Sequence, residues 1–194
     1  MSKNIVSPAG IAEYPWLNKP NTKFNEDGDY QTNLILDPSN EAHQAFVDML
    51  EEEYQGALLD IQKERKLKKI KEGTKPFSLV EEGKNEGMYR IRFRQKAIVR
   101  PRNGDPFEQK VRIFDAAKKL TDAKVGSGSK IKVAFEIVPY FNAAAGSGIS
   151  LRLKAVQVLE LVEYGDGDYG FEVEEGYTSD NGEADTSAEA NTDF

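Results

Sequence analysis

Between residues 88 and 100 the chain alternates one by one. Tyr89, Ile91 and Phe93 fall on one side; Arg90, Arg92 and Arg94 fall on the other. A period of two predicts a strand with one apolar and one basic face. Residues 30–36, Tyr-Gln-Thr-Asn-Leu-Ile-Leu, read as an earlier strand, and a short one fits 11–17. The period then changes. Phe46, Met49, Leu50, Tyr54, Ala57, Leu58 and Ile61 recur at spacings of three and four, which predicts a helix with one apolar face. Asp37-Pro38 supplies an N-cap and a first-turn proline, and Gly73 suits a C-terminal cap, so the helix is expected over 38–72.

Beyond the long strand, a turn at Arg102-Asn103-Gly104-Asp105 leads into 107–114, where Val111 and Ile113 oppose Lys110, Arg112 and Phe114. Gly126-Ser127-Gly128-Ser129 precedes a strand at 130–141, and Gly146-Ser147-Gly148 precedes another at 149–164. Strands joined by glycine-rich turns, without alternating helices, argue against a parallel α/β sheet. The expected fold is mainly β: an OB-fold-like five-stranded barrel with one long inserted α-helix after the second strand. A β-sandwich with a packed helix is the alternative.

Charge divides the chain in two. The last thirty residues carry ten acids and no Lys or Arg, and end in Asp193-Phe194. The formal net charge of -7 therefore hides a body, residues 1–164, with 26 basic against 23 acidic side chains. The body is expected to be the domain, and residues 165–194 a disordered acidic tail, since nothing there could offset the entropy of ordering it. The terminal Phe194, beside Asp185, Glu189 and Asp193, is a specific apolar handle for a partner. A tether of that length reaches about 30 Å, far enough to screen a basic groove on its own body.

The body's cations are concentrated. Residues 84–132 hold fourteen Lys or Arg against five acids, interleaved with Tyr89, Phe93, Phe107 and Phe114, with Phe135, Tyr140 and Phe141 just beyond. Single-stranded nucleic acid needs this mixture: cations for phosphates and flat rings for unstacked bases. An ordinary solvated strand face over an aromatic core would give the same alternation. Candidate phosphate contacts are Arg90, Arg92, Arg94, Lys130 and Lys132. Candidate stacking rings are Tyr140, Phe107 and Phe141. The run Lys63-Glu64-Arg65-Lys66-Leu67-Lys68-Lys69-Ile70-Lys71 is expected at a helix C-terminus, where cations complement the macrodipole; a supporting phosphate contact is the sharper alternative.

Other chemistries find little support. There is no cysteine, hence no disulfide or thiolate site, and Gly126–Lys130 lacks the spacing of a phosphate-binding loop. The single histidine, His43, is expected to be a solvated surface residue, and Glu51-Glu52-Glu53 an exposed helix face, so no catalysis, metal or cofactor is expected. No apolar run approaches the roughly 20 residues of a membrane span, and no secretory leader pattern opens the chain. A soluble cytoplasmic protein is expected.

Gly126-Ser127-Gly128-Ser129-Lys130-Ile131-Lys132-Val133, then Val138-Pro139-Tyr140, Ala145-Gly146 and Leu151-Arg152-Leu153-Lys154, resemble the last barrel strands of the single-stranded DNA-binding proteins of short-tailed bacteriophages (podophages). The opening Ala12-Glu13 with following aromatics, Lys19-Pro20, the helix after the second strand and the acidic tail ending in Asp-Phe are similar too. The resemblance implies an OB-fold that binds single-stranded DNA with little sequence preference in phage DNA replication, recombination and repair, within the bacterial host cytoplasm. It implies a homodimer whose tail contacts the replicative DNA polymerase and helicase-primase and competes with DNA. It implies that Tyr140 stacks on a base, that Arg94 occupies a basic groove position and that Lys3 is an N-terminal contact. The chain departs from the family pattern at Tyr140-Phe141-Asn142, at Ala134 where a lysine is usual, and at the acidic Glu26-Asp27-Gly28-Asp29. An RNA chaperone or a protein-interaction adaptor on a basic barrel is the alternative function.

Overall fold

The computed structural model describes residues 4–163. The elements run β1 (Ile5–Val6), β2 (Gly10–Asn21), β3 (Asp29–Leu36), α1 (Glu41–Glu64), β4 (Phe77–Leu79), β5 (Tyr89–Lys96), β6 (Ile98–Val99), β7 (Phe107–Glu108), β8 (Arg112–Phe114), β9 (Lys130–Tyr140) and β10 (Gly148–Glu160). Five of the strands close on themselves. β2 pairs with β3, β3 with β5 and β10 with β9, all antiparallel, and β2 meets β9 at Gly10↔Ile131. The ring closes through a parallel contact of β5 with β10, Arg94↔Arg152. This is the expected OB-like arrangement, mainly β, with the helix between its second and third strands.

Alternation explains the closure. Leu34 and Leu36 of β3, Ile91 and Phe93 of β5, Ile131, Val133 and Phe135 of β9, and Ile149, Leu151 and Leu153 of β10 are all buried and point to one interior. Phe135 is its centre, 5.0 Å from the Phe93 ring and edge-on to Phe46 of α1 at 5.9 Å. The helix adds Phe46, Val47, Leu50, Tyr54 and Leu58 to the same core, as its spacing predicts.

The helix is shorter than its sequence suggests. Asn40, not Asp37, is the N-cap, accepting from the Ala42 and His43 amides. Asp37 instead closes a turn on the Ser39 amide at 2.8 Å. At the other end Lys66 takes a left-handed conformation, φ 52°, a role usually given to glycine. The Lys66 amide bonds the Lys63 carbonyl and the Leu67 amide bonds the Gln62 carbonyl, a Schellman closure. The helix ends at Glu64 with Lys63 in its last turn and Arg65 as its C-cap, so the macrodipole does not account for the more distant Lys68, Lys69 and Lys71.

Gly73 is therefore no helix cap; its amide bonds the Ser147 carbonyl, tying the 65–73 segment to the start of β10. The lone histidine also differs from expectation. His43 Nδ1 accepts from the Asp37 amide and Nε2 donates to the Ala9 carbonyl, both at 2.9 Å, so the ring splices the helix start to the β1–β2 connection. The expected strands at 88–100 and 107–114 are each broken in two, and their pieces β6 and β7 form a separate small hairpin, Val99↔Phe107. No helix among the described residues is long and apolar enough to cross a membrane.

Candidate nucleic-acid interface

The outward side chains of the ring form a row that only the strand register reveals. Trp16 of β2 lies opposite Gln31 of β3, Gln31 opposite Arg94 of β5, Arg94 opposite Arg152 of β10, and Arg152 opposite Glu136 of β9. Directly paired residues share a face, and the inward neighbours Leu17, Phe93 and Leu151 are buried. Above the β5–β10 seam stands the β6–β7 hairpin, anchored by the Gln109 amide on the Ala97 carbonyl at 2.7 Å. Between them lies a cavity of about 580 Å³ lined by Arg94, Lys96, Phe107, Ser150 and Arg152, among others. Phe107 is 49% exposed. The cleft thus offers three cations and one presented ring, the pair of groups a single strand requires.

The structure sorts the sequence-derived candidates. Arg94 and Phe107 come together in the cleft. Arg92 is on the same face of β5, with Nη2 on the Lys75 carbonyl at 2.7 Å. Arg90 is engaged elsewhere: Nε and Nη2 grip both oxygens of Glu13 at 2.6 and 2.9 Å. Lys130 pairs with Glu160 at 3.2 Å, and Lys132 lines a different cavity with Phe114 and Val156. Tyr140 stands opposite Gly148, two residues along β10 from Ser150 of the cleft, and its hydroxyl lies against the Gly73 backbone. Phe141 is at the barrel end, beneath the Arg65 guanidinium. Lys3 and the tail residues Asp185, Glu189, Asp193 and Phe194 lie outside the described residues.

Three residues of this face escaped the sequence reading. Lys96 continues the alternation of Arg90, Arg92 and Arg94 and could have been taken with them. Arg152 sits in Leu151-Arg152-Leu153-Lys154, itself an alternating run. Trp16 carries no local signal, because only the register with Gln31 places it on the row.

The acidic 26–29 segment also finds its explanation. Arg100 bonds both oxygens of Asp27, and Arg94 bonds Asp29 at 2.5 Å. Asp29 is only 4% exposed, whereas the Arg94 side chain is 64% exposed. Burial is the largest single influence on Asp29 and pushes its carboxyl up. The bonds from Arg94 and Asn25 together outweigh it and hold the carboxyl below its ordinary value.

Glu13 is held low chiefly by the Arg90 bond, against the effect of burial, with Asn33 and Asn85 adding to it. A depressed carboxyl stabilises the fold at pH above its unfolded value, about 4.3, and that contribution disappears as pH falls through the lower folded value. The Glu13→Gln variant is expected to lose stability at neutral pH and to show a flatter decline below about pH 4.5 than the parent. Urea midpoints measured between neutral pH and the acid limb check this; parallel curves for the two proteins would refute it.

An OB-like ring with an overhanging aromatic and a cationic floor is the architecture of a binding domain, with cations and a ring gathered on one face. The chain belongs to the family described as "Single-stranded DNA-binding protein, Bacteriophage T7", whose model matches residues 9–161. That family is one of binders, not of enzymes. The chain is 30% identical to the single-stranded DNA-binding protein of Enterobacteria phage T3 and 29% identical to that of Escherichia phage T7. Those matches span 91% and 92% of this chain, and 86% and 87% of the relatives. The crystal structure of gp2.5, a single-stranded DNA-binding protein encoded by bacteriophage T7, superposes with a TM-score of 0.72 at 27% identity, over 92% of this chain and all of that one. The single-stranded DNA-binding protein of bacteriophage Enc34 in complex with single-stranded DNA shares the fold, at TM-score 0.57 and 17% identity, over 82% and 88% of the two chains.

Proposed function

We propose that this protein binds single-stranded DNA in the cleft under the β6–β7 hairpin, coating and protecting unpaired DNA during phage DNA replication, recombination and repair in the cytoplasm of the bacterial host. The observation that carries the reading is the meeting of Arg94, Lys96 and Arg152 with the half-exposed Phe107 around one cavity. Phosphates take the cations; Phe107, with Trp16 further along the same face, takes unstacked bases. Family membership and the names of the relatives support the same ligand. Arg92 lies beside the cleft and extends the phosphate track, and Tyr140 marks where the strand leaves it.

Residues 165–194 act as an acidic tether in this reading. They contact the replicative DNA polymerase and helicase-primase through Phe194 and its flanking acids and compete with DNA for the groove, and the protein works as a homodimer.

The test is a fluorescence-anisotropy titration with oligo-dT, the matching duplex and an RNA oligomer of equal composition, at several salt concentrations. Tight binding to the single strand is expected, with a salt slope of about 0.7 per phosphate neutralised. Equal affinity for duplex, or affinity indifferent to salt, would overturn the reading. A preference for RNA would shift it to an RNA chaperone.

A further inference from the structure

Five cations occupy the seven residues Arg65-Lys66-Leu67-Lys68-Lys69-Ile70-Lys71, with no acid among them. Arg65 is the C-cap of α1 and Lys66 follows it, but Lys68, Lys69 and Lys71 lie beyond the helix end, where its electrostatics does not explain them. Leu67 and Ile70 are half-buried and Ile70 packs on the core, while Gln62 Nε2 donates to the Leu67 and Lys68 carbonyls. The segment is therefore pinned by Leu67 and Ile70 and by Lys71 Nζ, which donates to the Ala144 carbonyl, while Arg65, Lys66, Lys68 and Lys69 are exposed. None of the five forms an ion pair with an acid among the described residues. This contrasts with Arg90, Arg94 and Arg100 of the basic strand region, each of which has one.

Beside these cations is a ring. The Arg65 guanidinium lies 4.0 Å from the centroid of Phe141. A cavity of about 330 Å³ opens next to it, lined by Leu67, Lys69, Ile70, Lys71, Phe141 and Asn142, among others. Ser147, which also lines this cavity, and Ser150, which lines the cleft, are three residues apart on one chain. At the rise of an extended strand these two residues are about 10 Å apart along the chain. Tyr140 stands between them, opposite Gly148.

We propose that the 65–71 segment and Phe141 form a second, outlying single-stranded DNA site, which receives the part of the strand that has left the cleft past Tyr140. Its ligand is the continuing sugar-phosphate backbone, with one base stacked at the Arg65–Phe141 pair. This rests on the reading of the cleft given above. Cations without a paired acid, beside a ring, are what an extended nucleic-acid track supplies. The consequence is length dependence: a strand that fills only the cleft ignores this patch, and a longer strand gains from it.

The experiment uses the full chain and oligo-dT of two lengths, about 6 nucleotides, within the usual span of one OB-fold, and about 20, beyond it. The Lys66→Asn/Lys68→Gln/Lys69→Gln variant removes three cations and keeps a residue tolerant of left-handed backbone at 66. On the long oligomer its salt slope is expected to be shallower by about 2, three phosphates at about 0.7 each, with affinity down about tenfold or more at low salt. On the short oligomer both are expected to match the parent. Phe141→Leu is expected to weaken the long complex only, with its salt slope unchanged. Equal losses on both lengths, or no loss on either, would overturn the proposal. So would tighter binding by the triple variant, which would mark the patch as a dock for acidic peptide. If the unmodified protein shows no preference for single strands, the cleft reading itself fails; if it does and the variants behave like it, only the second site fails.

Discussion

Truncating Phe107 to alanine is expected to weaken binding of oligo-dT by about 1–3 kcal/mol, roughly 5- to 150-fold, the range found when one stacking ring is removed. The unfolding midpoint is expected to stay where it is, because the ring is half-exposed on a two-residue strand and belongs to no part of the core. This separation makes the variant informative. The same truncation at Phe135, fully buried between Phe46 and Phe93, would lower affinity only by unfolding the barrel. Anisotropy titration and urea denaturation on one preparation read the two quantities together. Parent-like affinity would remove Phe107 from the binding surface; a lost midpoint would make it structural. Replacing Phe107 with tyrosine should restore most of the affinity, since the ring face is what the base meets.

Gly146→Val is expected to cost about 2–6 kcal/mol of folding stability. Gly146 has φ 105°, a region that strains any residue with a Cβ, at roughly 1–3 kcal/mol. A Cβ there would also meet the Glu72 carbonyl and sit 2.6 Å from the Gly73 Cα, a backbone contact that cannot rotate away. Overpacking of that kind adds about 1–3 kcal/mol. The damage falls where Glu72 and Ser147 pair, so the connection between the 65–73 segment and β10 should open first. Gly56→Ala is the control. Gly56 is inside α1, and an added Cβ meets nothing within 4 Å. That change should stabilise the protein by about 0.5–1 kcal/mol, the helix propensity difference. Denaturant midpoints of the pair check both signs; a mild Gly146→Val would show that the segment can move off β10 at little cost.

These features differ in how far the sequence discloses them. Alternation at 89–96 and 130–140 is a local, periodic signal, and burial on one face obeys it without exception at Ile91, Phe93, Ile131, Val133 and Phe135. The apolar helix stripe from Phe46 to Ile61 is equally local. The helix end was hidden because a lysine, Lys66, takes the left-handed position that composition assigns to glycine, while Gly73 serves a different contact. The site was legible in kind and less so in detail. Arg90 looks identical to Arg94 in sequence and each meets a carboxylate, but Glu13, 77 residues away and brought alongside only by the β2–β3–β5 pairing, holds Arg90 by two bonds, whereas Arg94 stays more exposed and lines the cavity. The meeting of Arg94 with Arg152 likewise depends on a parallel contact between strands far apart in the chain, which no local pattern encodes.

Arg94 and Arg100 each rest on a carboxylate from the 27–29 turn. If a strand enters the proposed cleft, a phosphate that reaches Arg94 displaces Asp29, and its departure leaves that counter-charge in place. The protein side of the exchange then needs no small anion from the medium, while cations still return to the freed strand.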